Sequence, residues 1–168
     1  MALIAMTTSD TVDYVSDLDP SKKRVKKPGK ASETGGEAPD VEEVVIEEGA
    51  TTFKIRGLDV FLMGYVYDNA STLSGKQGSD DVGIHTRMNQ TNIECVRHGL
   101  AGFTNFADAK GGQVAFKTQK AVVNGRAYDV VADAIMNMLG VRLVQELASE
   151  IKKISEVSKA EEKNSAGA

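Results

Sequence analysis

The sequence predicts an α+β protein: a small module of about four helices with an N-terminal strand and a β-hairpin, preceded by a disordered tail. Three observations predict it. After residue 50 the apolar residues switch repeatedly between a two-residue alternation and the i, i+3, i+4 spacing of a helix face. Asn124-Gly125 separates two alternating runs, and both residues accept the positive φ of a tight hairpin turn. All three prolines (Pro20, Pro28, Pro39) precede residue 41 while eight of the nine aromatic residues follow residue 50, so core material is concentrated in the C-terminal two-thirds. The boundaries drawn from this are a charged tail over 1–50, a folded module over 51–157 and a second disordered tail over 158–168.

The tail reading rests on charge. Residues 1–50 hold 6 Lys and Arg against 11 Asp and Glu (net −5), and residues 51–168 hold 14 against 13 (net +1), so the formal −4 of the chain belongs to the tail. Its signs are blocked: Asp10, Asp13, Asp17 and Asp19, then Lys22-Lys23-Arg24 with Lys26, Lys27 and Lys30, then Asp40, Glu42, Glu43, Glu47 and Glu48. So little apolar material cannot offset chain entropy, and a solvated polyampholyte is expected. Within it, Val41–Ile46 is compatible with a short strand.

In the module, Thr51–Arg56 alternates with Phe53 and Ile55 on one face and Lys54 and Arg56 on the other, a half-buried strand closed by Gly57. Leu58, Phe61, Leu62 and Tyr65 then form one helical stripe, with Asp59 in its first turn. Ser71–Gly83 is polar and glycine-punctuated and reads as a mobile loop. Thr91 and Glu94 fit a capping box, starting a helix that buries Ile93, Val96 and Leu100 and closes at Gly99 and Gly102 in a left-handed cap. Phe103 and Phe106 are expected to plug the core from a turn. Val114, Phe116 and Thr118 alternate along a strand that returns after Asn124-Gly125 as Arg126–Val130. A short helix from Asp133 to Gly140 and a last helix with Val144, Leu147, Ile151 and Ile154 in a narrow seam complete the module.

Chemistry is sparse. No apolar run approaches the roughly 20 residues that cross a bilayer, and Cys95 has no second cysteine to pair with, which points to a reducing compartment. Cys95 and His98 are three apart, but His85 is the only other histidine, so a tetrahedral metal set is not expected. The same pair lacks a nameable orienting group for a nucleophile, and no phosphate-cradling glycine pattern occurs, so an enzyme and a bound cofactor are both disfavoured. Acidic clusters flank the basic block Lys22 to Lys30, and no aromatic residues interleave it, which disfavours nucleic acid as a ligand. The best candidate for a partner-binding face is the Met-bearing and aliphatic C-terminal stretch, Met136, Met138, Leu143, Val144, Leu147 and Ile151, because such side chains repack to suit a partner.

Two stretches carry a resemblance. Phe53-Lys-Ile-Arg-Gly-Leu58 ahead of an amphipathic helix, and Val96-Arg-His-Gly-Leu-Ala-Gly-Phe-Thr-Asn-Phe106 followed by Gly111-Gly-Gln-Val-Ala-Phe116 and a closing helix, resemble the tail assembly chaperones of tailed bacteriophages and prophages. The resemblance implies a non-catalytic protein of the host cytoplasm, absent from the mature virion, that binds the tape-measure protein and recruits tail-tube subunits during tail morphogenesis. Homo-oligomerisation stays open. The competing expectation is a structural virion protein of the tail, a tube, terminator or connector subunit whose Ser71–Gly83 loop orders on assembly.

Overall fold

The computed structural model describes residues 10–27, 41–68, 71–75, 82–86 and 88–156. The elements run β1 (Thr11–Val15), β2 (Lys22–Lys27), β3 (Val41–Ile46), β4 (Thr52–Arg56), α1 (Val60–Asp68), β5 (Ser71–Gly75), β6 (Val82–Thr86), α2 (Met88–Gly99), β7 (Leu100–Thr104), β8 (Thr118–Val123), β9 (Arg126–Val131) and α3 (Asp133–Glu156). This is a mixed α+β arrangement with three helices and small antiparallel sheets among the described residues. One sheet has three strands in the order β1-β4-β7, and β2-β3, β5-β6 and β8-β9 form separate two-stranded ribbons.

The core is built on β4. Its alternation leaves Phe53 and Ile55 each 1% exposed, and Phe53 stands opposite Tyr14 of β1 and Phe103 of β7, an aromatic row across all three strands. Phe103 also meets Phe106 and Phe116 edge-on at 5.0 and 5.2 Å between centroids, contacts worth about 0.5–1.5 kcal/mol each beyond area burial. A bulge between Lys54 and Ile55 pairs Ile55 with Leu100, so both of these side chains stay inside. α1 starts where the Asp59 carboxylate accepts the Phe61 and Leu62 N–H groups, so Asp59 is its N-cap. Its buried residues are Leu62 and Val66, in line with Leu58 just ahead of it, while Phe61, expected inside, is exposed beneath the Arg126 guanidinium at 3.8 Å.

Several expectations are corrected. Residues 10–27 and 41–50 are ordered, not part of a disordered 1–50 tail, because β1 adds to β4 and the turn after it is held by α3. Glu146 accepts hydrogen bonds from the Tyr14 hydroxyl at 2.6 Å, the Ser16 hydroxyl at 2.7 Å and the Asp17 N–H at 2.6 Å. The Asp19 carboxylate takes the N–H groups of Ser21 and Thr51, and Lys22 donates to the Val15 carbonyl. Within Ser71–Gly83, expected as a loop, residues 71–75 form β5 and residues 82–83 begin β6, which pairs with it; Thr72, Val82, Ile84 and Thr86 are β-branched residues suited to extended backbone. Residues 28–40 and the proposed C-terminal tail 158–168 lie outside the described residues.

α2 begins at Met88, three residues ahead of Thr91, so the Thr91–Glu94 capping box does not form; Glu94 accepts from Gln90 instead. Its end is not a left-handed cap either. Gly99 has no positive φ, and the His98 carbonyl is satisfied by Arg56 Nε at 3.2 Å. β8 begins at Thr118 rather than Val114, because Val114 N–H donates to the Phe106 carbonyl and the Lys117 carbonyl accepts from Ala132, which engages this stretch elsewhere. β8 and β9 then pair across Asn124 and Gly125, at φ 49° and 78°. The last two expected helices are both present: they abut at Gly140, whose non-helical φ 72° and ψ 160° divide the run Asp133–Glu156, together labelled α3, at the residue where the sequence places the break.

The role of Gly99 is proximity. A Cβ built there lies 2.5 Å from Ile151 Cγ2, inside any allowed contact. Gly99→Ala should therefore destabilise the protein by about 1–3 kcal/mol through overpacking, read as a lower urea midpoint at unchanged slope, and should cost less in an Ile151→Ala background, which removes all three crowding atoms, than in the parent.

Candidate partner-binding groove

α2 and α3 lie side by side, linked by Lys152 Nζ donating to Asn92 Oδ1 at 2.8 Å and by the Gly99–Ile151 approach. At the other end of the pair, α3 changes direction. Gly140 sits at φ 72°, ψ 160°, a conformation open essentially to glycine alone. The chain resumes helix directly after it, so Leu139 stays buried while Met138 and Val141 are turned outward, 50% and 68% exposed. Beside the bend is a groove of about 560 Å³, with Ile93 of α2 and Met136, Val141 and Val144 of α3 as its apolar lining. Asn137 and Gln145 add uncharged polar groups, and Arg97 closes one wall by pairing with Asp133 at 2.9 Å.

The sequence-derived contact residues divide on this geometry. Leu147 and Ile151 are fully buried in the core and Val144 nearly so. The narrow seam therefore closes the monomer's own interior, and Leu147 and Ile151 present no surface to a partner. Met136 is half-buried in the groove, Val144 forms its floor and Met138 stands outside it. Leu143 faces a second, smaller cleft of about 310 Å³, shared with Leu18, Phe53 and Phe106. Ile93 and Val141 were missed as contact residues. The break at Gly140 was legible as a glycine between two helical patterns, but the groove beside it was not.

The remaining candidate chemistry is placed as follows. Cys95 is buried and its thiol is pushed up to about 11 by that burial, with Lys152 opposing, so it stays protonated and a poor nucleophile. Among the described residues no group of three or more His, Cys, Asp and Glu could hold a metal ion. Residues 22–27 of the basic block form β2, where Lys22 and Arg24 pair with Asp17 and Lys23 pairs with Glu47; Lys30 lies outside the described residues. No helix among the described residues is long and apolar enough to cross a membrane. No protein-family model, curated protein or solved structure matches the chain.

His98 is 2% exposed, set edge-on to Tyr128 at 5.6 Å and Tyr65 at 6.3 Å, with its Nδ1 buried and unpartnered among the described residues. Burial, with help from the Arg97 and Arg56 charges and against Asp59, pushes its imidazole down to about 4. The folded protein holds it neutral. Its contribution is complete above the unfolded value near 6.5 and is lost as pH falls toward 4, on the order of 3 kcal/mol. Urea midpoints at pH 7 and pH 4.5 should differ less in His98→Phe, which keeps the ring contacts, than in the unmodified protein.

Proposed function

We propose that the chain is a non-catalytic tail assembly chaperone of a tailed bacteriophage, which holds an apolar helical segment of the tape-measure protein in the α2–α3 groove while tail-tube subunits are recruited. The observation that carries this reading is the Gly140 bend, which turns Met138 and Val141 outward beside a groove lined by Ile93, Met136 and Val144. A methionine-bearing apolar trough, rimmed by amides with its one ion pair, Arg97–Asp133, already satisfied, adapts to many successive helical faces better than to one fixed ligand. That property suits a protein that must keep a long helical partner from aggregating. The sequence resemblance over residues 53–58 and 96–116 supports the same reading.

The test uses exposed residues, since a charge at Ile151 would unfold the domain whatever its role. In co-expression pull-downs with the tape-measure protein, Met138→Glu and Val141→Glu together should reduce recovery by tenfold or more while leaving the circular dichroism melt within a few degrees of the parent. Unchanged recovery removes the groove as the binding face.

The second reading, a structural subunit of the tail, is favoured by one observation: the β2-β3 ribbon is not hydrogen-bonded to the three-stranded sheet and, among the described residues, adds no side chain to the core, an arrangement suited to contacts with neighbouring subunits. Mass spectrometry of purified particles separates the two, with absence expected for the chaperone and stoichiometric presence for the tail component.

A further inference from the structure

β2 and β3 form a two-stranded sheet of their own, and among the described residues none of their side chains joins the hydrophobic core. Even so, Val25, Val44, Val45 and Ile46 on this ribbon are 40–52% exposed. A lone two-stranded ribbon is marginal in water, and gains most from a third strand or a covered face. Its two long edges differ in chemistry. β2, Lys22-Lys-Arg-Val-Lys-Lys27, is the lysine-rich kind of edge that discourages further pairing, whereas β3, Val41-Glu-Glu-Val-Val-Ile46, has four β-branched aliphatic residues and neither lysine nor proline.

We propose that β3 pairs antiparallel with β3 of a second copy of this chain, about a two-fold axis at Val44, to form a four-stranded sheet in the order β2-β3-β3-β2. A two-fold antiparallel pair sets one residue opposite its own copy and fixes every other partner. Charge and strand length then select the register: a centre at Val41 or Ile46, the strand ends, would leave only that one residue paired within β3. Centring on Glu42 or Glu43 opposes like carboxylates, and centring on Val45 opposes Glu43 to Glu47. Centred on Val44, the pairs are Val44 with Val44, Glu43 with Val45 and Glu42 with Ile46, with no like charges directly opposed. Val44 and Ile46 share a face, so the two copies bring four exposed aliphatic side chains onto one side of the new sheet, and the lysine-rich strands become its guarded outer edges. Adding β2 of a second copy to β3 instead is less well matched. Lys22, Lys23 and Arg24 already pair with Asp17 and Glu47, and Glu42 already stands opposite Lys26.

The test is register-specific crosslinking of the full chain, combined with light scattering. Directly opposed antiparallel residues have Cα atoms about 4.5–5.5 Å apart, within disulfide reach. Under mild oxidation Val44→Cys should give a covalent dimer, and Leu18→Cys, equally exposed at 49% but in the turn before the ribbon, should not. Glu43→Cys mixed with Val45→Cys should crosslink more than either alone. Cys95 does not compete, being buried. The unmodified chain should have the mass of a dimer and Val44→Lys that of a monomer, with the far-ultraviolet circular dichroism unchanged. A monomeric parent at every concentration, equal crosslinking at positions 44 and 18, or a mass that grows with concentration without limit would each overturn the proposal.

Discussion

The contact on which the structure depends most is the approach of α2 to α3 at Gly99. With no side chain there, Ile151 can sit against the α2 backbone, and the two helices close over Phe53 and Ile55 of β4. Everything else is arranged around this pair. β7 leaves α2 immediately after Gly99 and pairs with β4. The Ser155 hydroxyl, one turn beyond Ile151, accepts the Leu58 N–H and so fixes the entry to α1. The far end of the same helix pair, where Gly140 bends α3 away, is the place where the apolar surface is left open. One residue with no side chain seals the interface and another opens it.

A second constraint sets how the N-terminal region joins the domain. Glu146 gathers three donors from residues 14–17, so a helix that supplies the core on one side also anchors β1 on another. The Tyr14 phenol is driven well above its ordinary range, by desolvation first and then by its hydrogen bond to Glu146, so it remains a donor at any physiological pH. Such charge-assisted bonds are worth about 1.5–3 kcal/mol each where they are shielded from water. With the pairing of β1 to β4, they are the physical reason that residues 10–17, in a segment of disordered composition, are ordered.

Local periodicity was legible in the sequence wherever the signal was local. The alternation of Phe53 and Ile55, the stripe through Leu58 and Leu62, the strand Val41–Ile46 and the seam Val144–Leu147–Ile151 all correspond to elements or buried faces in the structure. What was hidden depends on partners distant in sequence. Glu146 looks like one more surface acid until Tyr14 and Ser16 are placed beside it, and Gly99 looks like a helix stop until Ile151 is. The candidate contact residues suffered from the same ambiguity. A seam of aliphatic residues reads alike whether it faces the interior or a partner, and only the packing of α2 assigns Leu147 and Ile151 to the interior.

The opening beside Gly140, proposed as the partner-binding surface, should be the region that a bound partner protects. Hydrogen–deuterium exchange of the full chain, alone and bound to a helical tape-measure segment, should show slowed exchange in residues 88–97 and 133–145, with the strands β1, β4 and β7 unchanged. Protection confined to the β2–β3 or β5–β6 ribbons, with the two helix segments exchanging as in the free protein, would contradict this assignment.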